Sequence, residues 1–285
     1  MSTTPATYRA PTPYDSPSTQ IGPAGSPVRR GPRDDVPALT FTALVRVEFV
    51  KMFNTRSGFW LMASIAILSV LASGAVILFG GENAITYANF SAAVGMPIAI
   101  LLPMLAILSV TSEWSQRTGL TTFTLVPHRG RVITGKALVT VSIGIVGILV
   151  AMGVGALGNL LGAAVHDIDP VWEFGFTDLL MVMLANVLGM LMGFTLGVVL
   201  RNSPAAIVGY FVYSLILPNV FGALAFYQES FADVWPWVDQ FYNVTSLFER
   251  VPSDQEWVQL AVTTVIWMGV PLLVGLRFLF RSEIK

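Results

Sequence analysis

The stretch "ALVTVSIGIVGILVAMGVGALGNLLGA", residues 137–163, decides the class of fold. It contains no charged residue, and as an α-helix it exceeds the roughly 20 residues needed to cross bilayer hydrocarbon. Five further stretches share its apolar character, with Lys and Arg confined to their ends: 58–80, 89–111, 177–200, 204–226 and 257–280. The alternation of a β-barrel is absent, so helices are the spanning structure whose backbone is satisfied in lipid. The sequence therefore predicts an all-α polytopic membrane protein with six transmembrane helices.

The composition agrees with a membrane protein and excludes several functions. Of the 285 residues, 54% are hydrophobic and only 12% are charged, about half the charged share of a soluble domain. The chain has no cysteine, which excludes disulfides and thiolate chemistry. Its two histidines, His128 and His166, are far apart, and this argues against a histidine-rich metal site. A net charge of −1 provides no general attraction for nucleic acid.

The chain divides into three parts before any fold is considered. Residues 1–37 hold eight of the seventeen prolines among Ser, Thr and Gly, a composition that predicts a disordered cytoplasmic tail. Residues 38–56 favour an interfacial amphipathic helix, although Glu48 interrupts its apolar sector. The alternative is that this helix extends the first span inward. Residues 57–285 form the predicted six-helix transmembrane domain.

The distribution of basic residues predicts the orientation. If both termini are cytoplasmic, Arg250 is the only Lys or Arg in the segments predicted to lie outside. Such an asymmetry follows the positive-inside rule. We therefore expect a multi-pass protein of the plasma membrane with its N- and C-termini in the cytoplasm.

Small residues and prolines indicate how the helices meet. Gly189, Gly193 and Gly197 recur every fourth residue and form a stripe for close helix packing, either within the chain or between subunits. Prolines interrupt the second, fifth and sixth spans, which makes kinked helices there candidates for lining a path. The polar residues on the second and fifth spans are the candidate path residues, with interfacial anchoring as the alternative. They are Asn89, Tyr210, Tyr213 and Asn219.

The outer loop 227–256 is unusually aromatic. A solvated loop would not carry so many large rings, so we expect a re-entrant-like segment that is partly buried in or on the outer leaflet. It would act either as an outer gate or as an interfacial anchor. The candidate gate residues are Phe231, Trp235, Trp237 and Phe241.

The inner loop 112–136 is the longest connection on the predicted cytoplasmic side. It contains a Ser-Glu pair at the end of a span, then "RTG" (117–119), then Pro127 and Arg129, and Gly135-Lys136 at the start of the third span. With the six-span layout, this pattern resembles the ABC-2-type permeases, the membrane subunits of ABC exporters (a type V exporter-like fold). Leu120 departs from the Thr common in that family after the glycine.

The resemblance implies that the inner loop couples to a separate ATPase. The matching residues are Glu113, Arg117, Gly119, Pro127, Arg129 and Lys136. For the basic ones, the positive-inside rule is an equally simple explanation. The resemblance also implies two ABC-type ATPase subunits that carry ATP and Mg²⁺, a second permease copy or homologue, and surrounding membrane lipids. This chain itself is expected to be no enzyme, to hold no cofactor or metal, and to export an amphipathic substrate: a drug, lipid or peptide.

Two other functions compete with the exporter. A secondary transporter or channel not coupled to ATP usually needs a mid-membrane ionisable residue, and Asp178 near one span end is the nearest candidate. An intramembrane hydrolase would need a motif that is absent here. The spacing of Gly130, Gly135 and Lys136 imitates a phosphate-binding loop. However, Ala137 stands where a Ser or Thr would bind Mg²⁺, and the following helix enters the bilayer.

Overall fold

A computed structural model describes residues 41–54, 56–115 and 129–281. The predicted tail 1–37 and the centre of the inner loop lie outside these residues. Regular structure in the described ranges is helical, apart from one isolated bridge between Thr86 and Val171. The long helices are Phe41–Asn54, Arg56–Phe79, Tyr87–Ser115, Arg129–His166, Phe176–Leu200, Ser203–Phe211, Leu217–Tyr227, Asp254–Thr264 and Val270–Arg281. Shorter elements are Glu82–Ala84, Val212–Ile216, Glu229–Ala232, Trp235–Val238, Gln240–Ser246 and Val265–Gly269.

Six of the helical stretches are long and apolar enough to span a membrane, in agreement with the six predicted. We number them spans 1 to 6, and call the helix before them, Phe41–Asn54, the leading helix. Residue 55 lies outside the described residues, so the choice between an interfacial helix and an inward extension of span 1 stays a prediction. The chain is therefore a polytopic membrane protein. The spans are Gly58–Phe79, Tyr87–Ser112, Val132–His166, Phe176–Leu200, Ser203–Tyr227 and Asp254–Phe278.

Hydrogen bonds tie the span ends together at two opposite ends of the bundle. At one end, where spans 1, 3 and 5 begin, the hydroxyls of Thr111 and Ser203 lie 2.7 Å apart and connect spans 2 and 5. At the other, His166 Nε2 lies 3.1 Å from the Ile77 carbonyl oxygen and connects spans 3 and 1. We call these the basic end and the loop end. The basic end is the one that the positive-inside rule predicts to be cytoplasmic.

Span 2 is the central helix and packs closely on span 4. Half of span 2 is buried inside the chain, compared with 11% of span 5. A Cβ added at Gly193 would lie 2.5 Å from the Pro103 carbonyl oxygen, so only glycine allows this approach of two backbones. Gly189 and Gly197 also face span 2, near Pro103 and Ile107. The glycine stripe is thus an intrachain contact, and it fixes the core against which span 5 is placed.

The boundaries of the inner loop differ from the predicted 112–136. The helix of span 2 continues to Ser115, and the helix of span 3 already begins at Arg129. The uninterrupted apolar run of span 3 begins only after Lys136. Because Lys136 is charged, the sequence prediction placed it in the loop and not in the membrane. In the structure Lys136 is buried and paired, so the helix passes through it without interruption.

Candidate functional site

Spans 5 and 6 contain the same helical irregularity at the same place relative to a proline. Each has a five-residue π-helical turn, Val212–Ile216 and Val265–Gly269, and a proline six residues after its first residue, Pro218 and Pro271. In span 5 the amide of Leu217 donates to the Val212 carbonyl oxygen, and in span 6 the amide of Val270 donates to the Val265 carbonyl oxygen. In both spans the acceptor lies five residues before the donor. A proline ring clashes with the carbonyl four residues before it, and that carbonyl lies inside the π turn in both spans. The wider turn accommodates the ring.

The two π turns bring aromatic side chains into contact. Tyr213 and Trp267 lie in the two turns, with ring centroids 5.9 Å apart. Tyr213 also contacts Tyr210, at 5.8 Å, and lies edge to face with Phe241, also at 5.8 Å. Both tyrosines are 5% exposed. The aromatic contacts therefore join the two kinked spans to the chain segment between them.

That segment, residues 229–246, folds back onto spans 5 and 6, and we call it the outer segment. Its three short helices are organised around Asp239, which is buried. One carboxylate oxygen of Asp239 accepts a hydrogen bond from the Tyr242 amide at 3.0 Å and caps the third helix. The other oxygen accepts from Trp235 Nε1 at 2.9 Å. A single buried carboxylate thereby joins the second and third helices.

Buried amide side chains attach the outer segment to both spans. The Tyr213 hydroxyl donates to Gln240 Oε1 at 3.3 Å, and Gln240 Nε2 donates to Thr264 Oγ1 at 3.4 Å. Asn243 Nδ2 donates to Thr263 Oγ1 at 3.3 Å and to the Pro236 carbonyl at 2.7 Å. We call the set Tyr213, Gln240, Asn243, Thr263 and Thr264 the amide cluster.

The amide cluster is buried and uncharged. Gln240, Asn243 and Thr263 are each at most 3% exposed. Trp267 Nε1 adds a bond of 2.7 Å to the Val238 carbonyl oxygen. The longer of these bonds are weak by geometry, and hydrogen bonds between helices in a membrane contribute on the order of 0.6 kcal/mol each. The attachment of the outer segment is therefore made of several modest contacts.

The four candidate gate residues belong to this arrangement in different ways. All four are partly buried. Phe241 contacts Tyr213 edge to face, and Trp235 contacts Tyr242 with the rings tilted and their centroids 4.6 Å apart. Phe231 contacts Phe221 of span 5 at 6.1 Å. Trp237 is partly buried in the short helix Trp235–Val238. Their role as a gate stays a prediction.

The four candidate path residues are not brought together. Tyr210 and Tyr213 are buried neighbours. Asn89 is exposed near the loop end, where its amide donates to the Ala84 carbonyl at 3.2 Å. Asn219 is exposed on span 5 and donates to the Leu215 carbonyl at 2.5 Å. Both asparagines thus make local backbone contacts, and a role in a path stays a prediction for all four.

The sequence interpretation named Tyr213 as a candidate path residue but missed the other members of the amide cluster. Gln240 and Asn243 are three residues apart, a spacing that places them on one helical face with Val244 and Leu247, which are both buried. The spacing of Gln240 and Asn243 within an aromatic-rich loop could therefore have indicated a buried polar contact. The adjacent threonines of span 6 gave no signal of their own, because Thr is tolerated anywhere in a spanning helix.

A second polar contact lies at the basic end. Glu48 of the leading helix and Lys136 of span 3 form an ion pair of 2.5 Å in which both side chains are nearly buried. The leading helix therefore turns Glu48 toward span 3, while Val47, Phe49 and Val50 are about half exposed. Glu48, which interrupts the apolar sector in the sequence, thus contributes a buried contact between this helix and span 3.

The other predicted coupling residues are only partly visible. Arg117, Gly119 and Pro127 lie outside the described residues. Glu113 and Arg129 lie in the last and first turns of the helices that flank the inner loop, and only their backbone is described. Lys136 is thus the one candidate coupling residue whose side-chain partner is described.

The described residues contain no group of three or more His, Asp or Glu residues that could hold a metal ion. Neither a protein-family model nor a curated protein sequence matches the chain. The geometry of the two ends, together with the sequence pattern, is therefore what supports a functional proposal.

Proposed function

We propose that this chain is the membrane-spanning permease subunit of an ATP-binding-cassette exporter of the ABC-2 type. With a second permease it would form the path for an amphipathic substrate such as a drug, lipid or peptide, driven by two ATPase subunits on the cytoplasmic side. The observation that carries the proposal is the outer segment, held against two kinked spans by uncharged hydrogen bonds. The buried carboxylate of Asp239 is bonded within the outer segment, to Trp235 and Tyr242, so it keeps these partners when the segment moves.

Spans 5 and 6 supply the moving parts in this proposal. Because both π turns lie next to a proline, each span has a point where the regular i to i−4 hydrogen bonding is already interrupted. Bending there changes the distance between Tyr213 and Trp267 and loosens the amide cluster. The path to the loop end opens when the outer segment separates from span 6.

The basic end transmits the motion. A movement of the inner loop reaches Lys136 along the helix Arg129–His166, and Glu48 passes it to the leading helix. Nucleotide chemistry belongs to the partner subunits, where ATP and Mg²⁺ bind. This chain contributes the docking loop and the response of its spans.

The test uses the full chain co-expressed with a candidate ABC-type ATPase, purified by a tag on the ATPase and assayed for ATP hydrolysis. We expect co-purification, and we expect Glu113→Lys to weaken it while Glu229→Lys at the loop end leaves it unchanged. If the two proteins never associate and ATP hydrolysis is independent of the permease, the exporter proposal is wrong. Substrate flux through the purified chain without any ATPase would instead establish the secondary transporter or channel.

A further inference from the structure

A lipid-facing groove lies between the leading helix, span 1 and span 3. It has a volume of about 340 Å³. Phe49 forms its wall on the leading helix, Met62 to Ser69 form the wall on span 1, and Ser142 to Val154 form the wall on span 3. The two ends of the span 3 wall are about 18 Å apart along the helix axis.

The walls of the groove offer almost nothing to a polar ligand. Its lining is nearly all aliphatic and aromatic. The Ser69 hydroxyl donates to the Ile65 carbonyl at 2.7 Å, so it is already satisfied within its own helix. Val146 and Val150 are each almost 60% exposed and mark the side that is open to the surrounding lipid. The chemistry selects an apolar occupant.

The groove is elongated: its span 3 wall extends about 18 Å along the helix axis. An elongated apolar groove that is open along one side suits a single methylene chain.

Two exposed arginines lie at the basic end, on two of the helices that form the groove. Arg46 is exposed and precedes Phe49 by three residues, so both lie on adjacent positions of one face of the leading helix. Arg56 is exposed at the start of the span 1 helix, about 9 Å along the axis from Met62. Among the side chains that the structure describes at this end, the only acid is Glu48, and it is paired with Lys136. The described side chains at this end therefore carry a net positive charge.

We infer that this groove binds one acyl chain of an anionic phospholipid, with the phosphate at the level of Arg46 and Arg56. The apolar walls hold the chain, and the two guanidinium groups select the charge of the headgroup. The occupant is a lipid of the leaflet at the basic end, because the groove begins close to that end and extends toward the middle of the membrane. The inference does not depend on coupling to ATP.

The experiment is native mass spectrometry of the full chain in detergent, with added phosphatidylglycerol or phosphatidylcholine of identical acyl chains. We expect one tightly retained lipid, with phosphatidylglycerol preferred about fivefold or more, since each basic residue near an anionic lipid contributes about that factor. The variant Arg46→Gln with Arg56→Gln should bring the two lipids close to parity.

Two glycines of span 3 provide a matched pair of variants. Gly147 lines the groove, and a Cβ there meets only Leu102 at an ordinary 3.9 Å, whereas a Cβ at Gly153 meets nothing within 4 Å and lies outside the groove. Gly147→Leu should lower lipid retention about tenfold, the loss expected when about two methylenes are displaced. Gly153→Leu should retain lipid as the unmodified chain does. Ala66→Leu fills the groove from span 1 and should repeat the result if Gly147→Leu folds poorly.

Three results would overturn the inference. Equal lipid loss in Gly147→Leu and Gly153→Leu would mean that retention is general annular binding. Retention of phosphatidylcholine equal to phosphatidylglycerol in the unmodified chain would remove the role of the arginines. A change from dimer to monomer specific to Gly147→Leu and Ala66→Leu, without a change in bound lipid, would assign the groove to a second copy of the chain.

Discussion

Two regions attach a peripheral element to the bundle, and they do so by opposite chemistry. At the basic end, one buried ion pair of 2.5 Å holds the leading helix to span 3. At the loop end, the amide cluster and the Trp267 bond hold the outer segment to spans 5 and 6. Breaking an ion pair leaves a buried charge without compensation, whereas breaking one of several neutral bonds costs little. The comparison predicts a stiff link at the basic end and an adjustable one at the loop end.

The largest effect is expected from breaking the ion pair. Glu48→Ala should lower the free energy of unfolding by about 3–5 kcal/mol, because the carboxylate that offsets the burial of the Lys136 ammonium would be removed. The measurement is unfolding of the purified chain in mixed micelles. The matched control is Val47→Ala, a half-exposed neighbour on the same helix. Replacing both partners, Glu48→Leu with Lys136→Met, should restore most of the lost free energy of unfolding. If it does not, the effect of Glu48→Ala is not explained by the ion pair alone.

The next largest effect concerns the core between the two regions. Gly193→Ala should cost about 1–3 kcal/mol, because its Cβ would lie 2.5 Å from the Pro103 carbonyl and the two spans would have to separate. Gly153→Ala, with open space around its Cβ, is the control and should change unfolding by less than about 1 kcal/mol. Equal effects of the two variants would show that spans 2 and 4 are not in close backbone contact.

A smaller and local effect is expected in the amide cluster. Asn243→Ala removes the donor to Thr263 and Pro236 and should cost about 1–2 kcal/mol. Amide hydrogen exchange should rise in residues 229–246 and stay unchanged in the leading helix. Faster exchange at both ends would mean that the two attachments are coupled in the isolated chain, which would contradict the comparison.

The smallest effect is expected from a single hydroxyl. Tyr213→Phe deletes one bond of 3.3 Å to Gln240 and keeps the ring contacts with Phe241 and Trp267. It should cost roughly 0.6 kcal/mol, the typical value for one such bond between membrane helices. Tyr213→Ala, which also removes the ring, should cost several times more. If the two variants were equivalent, the hydroxyl and not the aromatic packing would hold the outer segment.

Sequence patterns predicted the spans well and their partners poorly. The predicted fourth span, 177–200, matches Phe176–Leu200 to one residue, because hydropathy is a local property of the chain. The third was predicted to begin at 137, whereas its spanning helix begins at Val132, since the pairing that neutralises Lys136 is contributed by a residue 88 positions earlier. The prolines indicated interrupted helices in spans 2, 5 and 6. Spans 5 and 6 contain π turns that face each other, which the sequence did not predict, whereas span 2 is one helix with Pro97 and Pro103 inside it.

By itself, the sequence determined that this protein is a six-span helical membrane protein with a helix ahead of the first span and an aromatic outer loop. Those properties follow from runs of apolar residues and their charged borders, which any one segment carries alone. The tertiary structure alone decided that Glu48 meets Lys136, that Gly193 admits Pro103, and that Tyr213 meets Gln240. Such contacts depend on the relative rotation of helices far apart in sequence, and no local pattern encodes that rotation.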